Sequence, residues 1–337
     1  MIHYYIGILR KLTIYKLFNF CKLFIGFHLS RYFKRPIQLG LPFFVSIEPT
    51  TSCNLRCPEC PSGLRAFTRP TGMLHNNLFE SIIKQIKPSL HSLTFYFQGE
   101  PYLNPDFLDM VSFANKNKVY TITSTNAHYL TSENAKKTVL SKLDKLIISV
   151  DGIDQEVYEQ YRRGGQLSKV IEGTKEILKQ KQVNRSKTPH VVWQFVVFKQ
   201  NEHQIEAVKK LGKEMGVDEV KIKTAQVYDF ENGHQLIPTI EKYARYRLNE
   251  SGEYQIKNKL LNQCWRMWQG CVITWDGKIV PCCFDKDASH KIGDLQSSSF
   301  NNIWFSESYQ QFRKAVLTGR SEIEICRNCT EGTKVWS

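Results

Sequence analysis

The residues of this 337-residue chain best equipped for chemistry are its thiols. Cys53, Cys57 and Cys60 stand in the run Cys53-Asn-Leu-Arg-Cys57-Pro-Glu-Cys60, with three and then two residues between them. Three thiolates so spaced wrap a loop around a 4Fe-4S cubane and ligate three of its irons, leaving the fourth iron open. A structural zinc site asks for a fourth protein ligand, and a catalytic one for His or carboxylate partners. No fourth Cys adjoins the loop, and the next His is His75. Three reduced cysteines in one tight turn make poor core residues, so the spacing favours a cluster.

A second group lies near the C-terminus: Cys264, then Gly277 after twelve residues, Cys282 after four more, and finally Cys326-Arg-Asn-Cys329. Asp276-Gly277 suits a type I′ turn in a hairpin VITW-DG-KIVP. Cys264 before that hairpin and Cys282 at its exit then meet at one end, where Cys326 and Cys329 join them. Four thiolates close a cluster completely; the same four would also make a zinc knuckle. Cys21, Cys271 and Cys283 remain, the last two as replacement ligands or buried thiols.

These loops need a frame. Phe43, Val45 and Ile47 alternate with Phe44, Ser46 and Glu48 as in a strand, and further strand-like runs begin near Leu93, Val119, Leu146, Val191 and Val220. Helical patterns separate them. Leu78, Phe79, Ile82, Ile83 and Ile86 share one face before Pro88; Asn104-Pro105 reads as a helix N-cap and first helical position; Ile205, Val208, Leu211 and Met215 precede Gly216. Six strand-helix alternations force parallel strands with right-handed crossovers, in an open sheet or a barrel, with the chemistry at the carboxyl ends of the strands. The Cys53 loop follows the first strand, on that face. The rhythm stops near residue 225.

A CxxxCxxC loop after the first strand of a six-fold βα repeat resembles the radical S-adenosylmethionine (SAM) superfamily, over roughly residues 41–224. The resemblance implies an α/β fold built as a partial (β/α)6 TIM-like barrel. It further implies a 4Fe-4S cluster whose open iron binds SAM, and cleavage of SAM to a 5′-deoxyadenosyl radical that abstracts hydrogen from a substrate. Gln98-Gly99-Glu100-Pro101 looks like the family's Gly-Gly-Glu-Pro element, which meets the SAM amino group; Gln98 stands where the family has its first Gly. By the same resemblance Ser149, Asp151 and Arg162 are SAM contacts, Arg162 toward the carboxylate. The C-terminal cysteines look like a SPASM or twitch extension, which implies one auxiliary 4Fe-4S cluster on Cys264, Cys282, Cys326 and Cys329, within a Cys-rich hairpin and helix domain at 225–337.

The implied reaction is a two-electron oxidation or a peptide modification, as in oxidoreductase and maturase members. Small molecules and peptides are both open as substrates. The strand that begins near residue 43 leaves no room for a fused leader-peptide domain, which leans away from peptides. A low-potential flavodoxin or ferredoxin would deliver the electron. The alternative class is a non-catalytic iron-sulfur or zinc protein for electron transfer or nucleic-acid binding.

The balance of 46 Lys and Arg against 32 Asp and Glu prompts that alternative, yet no nucleic-acid motif accompanies the +14 charge, and none is expected as a partner. A 42% hydrophobic share excludes a mainly disordered chain. Clustered thiols without a cleavable signal peptide place the protein in the reducing cytoplasm. Residues 1–36 hold seven basic side chains and no acidic one among Ile, Leu, Phe and Tyr. Lys16 and Lys22 interrupt the segment before it reaches the roughly 20 apolar residues of a span. It reads as a helix lying on the inner face of an anionic membrane, or packed on the protein's own body. A chain starting near Pro36 is expected to fold without it.

Overall fold

A computed structural model describes residues 2–330 of the chain. The expected C-terminal domain is therefore described to residue 330. In chain order the strands are β1 (Phe44–Ile47), β2 (Ser92–Thr94), β3 (Tyr120–Thr125), β4 (Lys145–Ser149), β5 (His190–Val197), β6 (Glu219–Thr224), β7 (Tyr246–Leu248), β8 (Tyr254–Ile256), β9 (Gly270–Ile273), β10 (Lys278–Val280) and β11 (Gly293–Asp294). All six strands read from the repeat are present, with helices between them.

The chain divides into two compact units. The first holds the chain up to Ser52, Phe67–Ile122 and the described residues from Leu260 onward. In it β1 pairs in parallel with β2 and β2 with the start of β3, while β1's other edge takes β9, also parallel, with Phe44 opposite Gly270. β10 then returns antiparallel on β9, and β11 on β10. Val45 and Ile47 are wholly buried and Ser46 nearly so, because a strand flanked on both edges inside a parallel sheet is covered on both faces. The second unit holds Cys53–Ala66 and Thr123–Lys259. There β4, β5 and β6 pair in parallel, and β7 with β8 forms an antiparallel pair.

Helices follow the apolar periodicity with two local corrections. Asn76–Ile86 buries Phe79, Ile82, Ile83 and Ile86, and Ile205–Met215 ends on Gly216 at φ +77°. The helix after Asn104 starts later than read, at Phe107. Asn104 still turns the chain there, its Oδ1 accepting the Asp106 N–H two residues on, while Nδ2 donates to the carbonyls of Pro49 (2.7 Å) and Leu74 (2.9 Å). The β9–β10 turn is not type I′, which needs two positive φ angles. Only Gly277 has one, at +84°; its N–H donates to the Thr274 carbonyl and the Thr274 N–H to that of Lys278. That is a three-residue loop closing on a glycine bulge.

The N-terminal segment forms α1 (Ile2–Arg10) and α2 (Ile14–Phe33), the latter capped by the Thr13 hydroxyl. One face of α2, carrying Lys16, Asn19, Leu23, Gly26, Phe27 and Ser30, is buried in the first unit. Phe27 packs edge-on against Trp265 and Trp268, and the Trp268 indole N–H donates to the Ser30 hydroxyl at 3.1 Å. Lys16 is buried too; its ammonium donates to the carbonyls of Lys118 (2.6 Å) and Lys11 (3.1 Å), and burial beside Lys11 and Lys118 pulls its pKa down to about 8. The segment is part of the core, which corrects the expectation that a chain cut near Pro36 folds alone: the cut would uncover Trp268, now wholly buried. Leu23→Ala should accordingly cost about 2–5 kcal/mol, read as a lowered Tm, through the lost burial and the cavity left. An unchanged Tm would contradict this packing.

Candidate functional site

In the second unit, the loop from Cys53 to Cys60 runs into a one-turn helix, Pro61–Leu64, with Cys60 as its N-cap. A Cβ on Gly63 would lie 2.6 Å from both the N and O of Cys57, so only glycine lets this turn lie against the Cys57 peptide. The Arg56 N–H donates to the Arg163 carbonyl at 2.9 Å, which ties the loop to the segment after β4. The Leu55 N–H reaches the Cys53 Sγ at 3.5 Å; Asn126 Nδ2 donates to Asn54 Oδ1 at 2.8 Å and lies 3.9 Å from the same sulfur.

Arg162 is brought to this loop. Its Nη1 lies 3.8 Å from Cys57 Sγ, and its Nε donates to Asp151 Oδ2 at 2.6 Å. The other Asp151 oxygen accepts the Val196 N–H at 2.8 Å, so the wholly buried carboxylate is fixed from two sides. Burial disfavours the guanidinium charge, yet Asp151, Cys57 and Tyr161 outweigh it and hold the Arg162 pKa well above the ordinary value. Burial pushes the Cys57 thiol up, with Arg162 opposing. Ser149, nearly buried, closes β4 opposite Gln194 of β5.

Between two of the cysteines, Glu59 accepts the Tyr228 N–H at 2.9 Å and stands 3.7 Å from His234 Nε2. Nothing in the sequence singled out that link.

The first unit contains Gln98–Pro101 and the C-terminal cysteines. Gly99 has φ +75°, and a Cβ there would sit 2.2 Å from the Thr50 carbonyl oxygen, so this glycine is obligatory. Gln98 has no positive φ, so a side chain fits where the family has glycine. The Glu100 N–H donates to the carbonyl of Ser52, the residue before Cys53, at 2.8 Å. Its carboxylate caps the short 3-10 helix Pro101–Leu103.

Cys264 is the N-cap of helix Trp265–Gln269, and Cys282 follows β10. Cys326 and Cys329 share one turn, the N–H of Cys329 donating to the carbonyl of Cys326. Cys264 lies within electrostatic reach of both Cys282 and Cys326, and Cys329 within reach of Cys326. Arg320, unforeseen, stands among them. It is nearly buried, with Nη2 donating to Cys329 Sγ at 3.4 Å and Nη1 to the Gln263 carbonyl at 2.6 Å. Burial works against its charge, but Cys264, Cys329 and Cys326 raise its pKa. Burial lifts the Cys326 thiol to about 11.

Of the spare cysteines, Cys271 lies buried on β9 with its pKa pushed up to about 12 by burial, near Arg313. Cys283 accepts from Arg266 Nη1 at 3.2 Å and hydrogen-bonds the neighbouring Cys282 thiol. Among the described residues, no three His, Cys, Asp or Glu side chains are grouped tightly enough to grip a single metal ion. The surroundings of the thiols fit iron-sulfur clusters. The N–H groups of Leu55 and Phe284 and the side chains of Asn126, Arg162 and Arg320 all aim donors at sulfur, and two of those donors are cations. Such donors suit thiolates that carry iron.

Residues 47–212 match the family model of the radical SAM superfamily, and residues 264–330 match that of SPASM, an iron-sulfur cluster-binding domain. The chain is a radical SAM enzyme with a SPASM domain. Its radical SAM domain takes a 4Fe-4S cluster and SAM, and its SPASM domain implies auxiliary iron-sulfur binding. The chain is 25% identical over 316 residues to the tungsten-containing aldehyde ferredoxin oxidoreductase cofactor-modifying protein of Pyrococcus furiosus, covering 85% of this chain and 87% of that one. It is 23% identical over 313 residues to the PqqA peptide cyclase of Bradyrhizobium diazoefficiens, covering 86% and 79%. Streptococcus suis SuiB bound to S-adenosylmethionine shares the fold with a TM-score of 0.64 at 16% identity, over 91% of this chain and 76% of SuiB.

Proposed function

We propose that Cys53, Cys57 and Cys60 hold the SAM-cleaving cluster and that Cys264, Cys282, Cys326 and Cys329 hold one auxiliary 4Fe-4S cluster. The observation that carries this reading is a cation set against each thiol group, the partly exposed Arg162 at Cys57 and the buried Arg320 at Cys329. Thiolate ligation accumulates negative charge, and a guanidinium held close offsets it. When bound, the first cluster and SAM supply a 5′-deoxyadenosyl radical that removes a hydrogen atom from the substrate, and the auxiliary cluster supplies a one-electron acceptor.

The protein's own part is positioning. Asp151 holds Arg162 by Nε and Nη1 faces the Cys57 sulfur, leaving Nη2 for the SAM carboxylate; Asp151 thus serves as a positioning residue. Gln98, Gly99, Glu100 and Pro101 are assigned to the SAM amino group and Ser149 to a ribose hydroxyl. Arg162→Ala should weaken SAM binding about 10- to 100-fold, the worth of a hydrogen bond between charged groups, with the visible spectrum of the cluster retained. Asp151→Asn should weaken it less. Unchanged affinity in Arg162→Ala would pass the role to Arg163 or to neither.

The substrate we assign is a peptide, supported by the likeness to the PqqA peptide cyclase along most of this chain. The sequence alone leaned the other way. The electron donor is a low-potential flavodoxin or ferredoxin, in the cytoplasm. Anaerobic reaction with deuterated cell extract tests the substrate class: the component that passes deuterium to 5′-deoxyadenosine should vanish when the extract is first treated with protease. A protease-resistant donor would overturn the assignment.

A further inference from the structure

The helix that covers Trp268 turns its other side to solvent. At about 100° per residue, Ile14, Phe18, Cys21, Ile25 and Tyr32 fall on the side of α2 opposite Lys16, Leu23 and Phe27. Ile14 is 78% exposed, Phe18 66%, Ile25 51% and Tyr32 81%, which makes a continuous strip along the helix. Leu17, Phe24 and Leu29 widen it, and all three are exposed. Single exposed apolar residues are ordinary; a strip of this length asks for an apolar partner.

Charge selects the partner. Lys22 and Arg31 flank the strip on opposite sides, each about 90° round the helix, and both are exposed. Arg10, Lys34 and Arg35 stand exposed beyond the two ends of α2, and residues 1–36 contain no acidic side chain. A second copy of the chain would set these basic flanks against their own like in an isologous contact. An anionic bilayer answers both features: apolar groups enter the acyl boundary while Lys and Arg meet the headgroups. Among the described residues no helix is long and apolar enough to cross a membrane, so such contact is made from one side.

We propose that the outward face of α2 docks the enzyme onto the surface of an anionic lipid bilayer, with the helix lying in the interfacial plane. The buried face keeps the helix anchored in the protein, so docking presents a preformed surface rather than ordering a free segment. This inference does not rest on the reading of the iron-sulfur sites.

The test is sedimentation of the full-length, anaerobically reconstituted protein with vesicles of phosphatidylcholine and phosphatidylglycerol in equal parts, and with phosphatidylcholine alone. Binding to the mixed vesicles should be at least about tenfold stronger than to the neutral ones and should weaken at high salt. Phe18→Glu with Ile25→Glu should abolish it at unchanged iron content and Tm, since both side chains point to solvent. Lys22→Gln with Arg31→Gln should reduce it independently of any question about folding. Leu140→Glu, at an exposed apolar position on helix Ser132–Leu140, should leave it intact. A wild-type protein that stays in solution with the mixed vesicles would overturn the proposal. So would a concentration-dependent dimer that Phe18→Glu dissociates, which would assign the face to a second copy.

Discussion

Changing Cys53, Cys57 and Cys60 together to Ala is expected to halve the iron of the anaerobically reconstituted protein and to abolish SAM cleavage. The full chain should bind about eight iron atoms, as two 4Fe clusters require, and the triple variant about four. The loop offers no substitute thiol, because the next cysteine in the sequence is Cys264. Folding should survive, since the three residues lie in a turn whose backbone is held independently, by Arg56 to Arg163 and by the packing of Gly63 on the Cys57 peptide. Iron analysis and 5′-deoxyadenosine yield measure the two effects together. Retained cleavage would remove these cysteines from the reaction.

Cys326→Ala is expected to separate SAM cleavage from product formation. Cys326 belongs to the terminal turn with Cys329, alongside Arg320, and removing one of the four proposed ligands should disable the auxiliary cluster. If that cluster accepts the electron left on the substrate radical, 5′-deoxyadenosine should still form while oxidised product falls by an order of magnitude or more. Both are measured in one reaction mixture. Product at the wild-type ratio in a variant shown to lack the second cluster would eliminate the acceptor role, and Cys283, held 3.2 Å from Arg266, would be the next thiol to change.

The sequence made the candidate ligands far easier to read than the groups that surround them. Cysteine spacing is local, so Cys53, Cys57 and Cys60 and the later four could be named without knowing the fold. Arg162 came only from family resemblance, and its clamp by Asp151 needed the return of the chain after β4. Arg320 carried no signal: it is one of 46 basic residues, and a buried cation looks like a surface one until its neighbours are known.

Strand positions were legible from apolar runs, whereas the parallel pairing of β9 with β1 joins residues more than 200 positions apart and no local pattern encodes it. The same holds for Lys16. A lysine in an apolar helix reads as a headgroup contact, but two backbone carbonyls, of Lys118 and Lys11, make its burial tolerable. The β9–β10 turn was misread because Asp-Gly serves both a type I′ turn and a glycine bulge, and the residues on either side decide the register.

The central claim is that this chain binds two iron-sulfur clusters and cleaves SAM at the first. It is tested most directly by incubating the reconstituted protein anaerobically with SAM and a strong reductant, then measuring 5′-deoxyadenosine, iron and zinc on the same sample. About eight irons per chain are expected, with 5′-deoxyadenosine that depends on reductant and on Cys53, Cys57 and Cys60. Tightly bound zinc with no iron, and no 5′-deoxyadenosine, would contradict it.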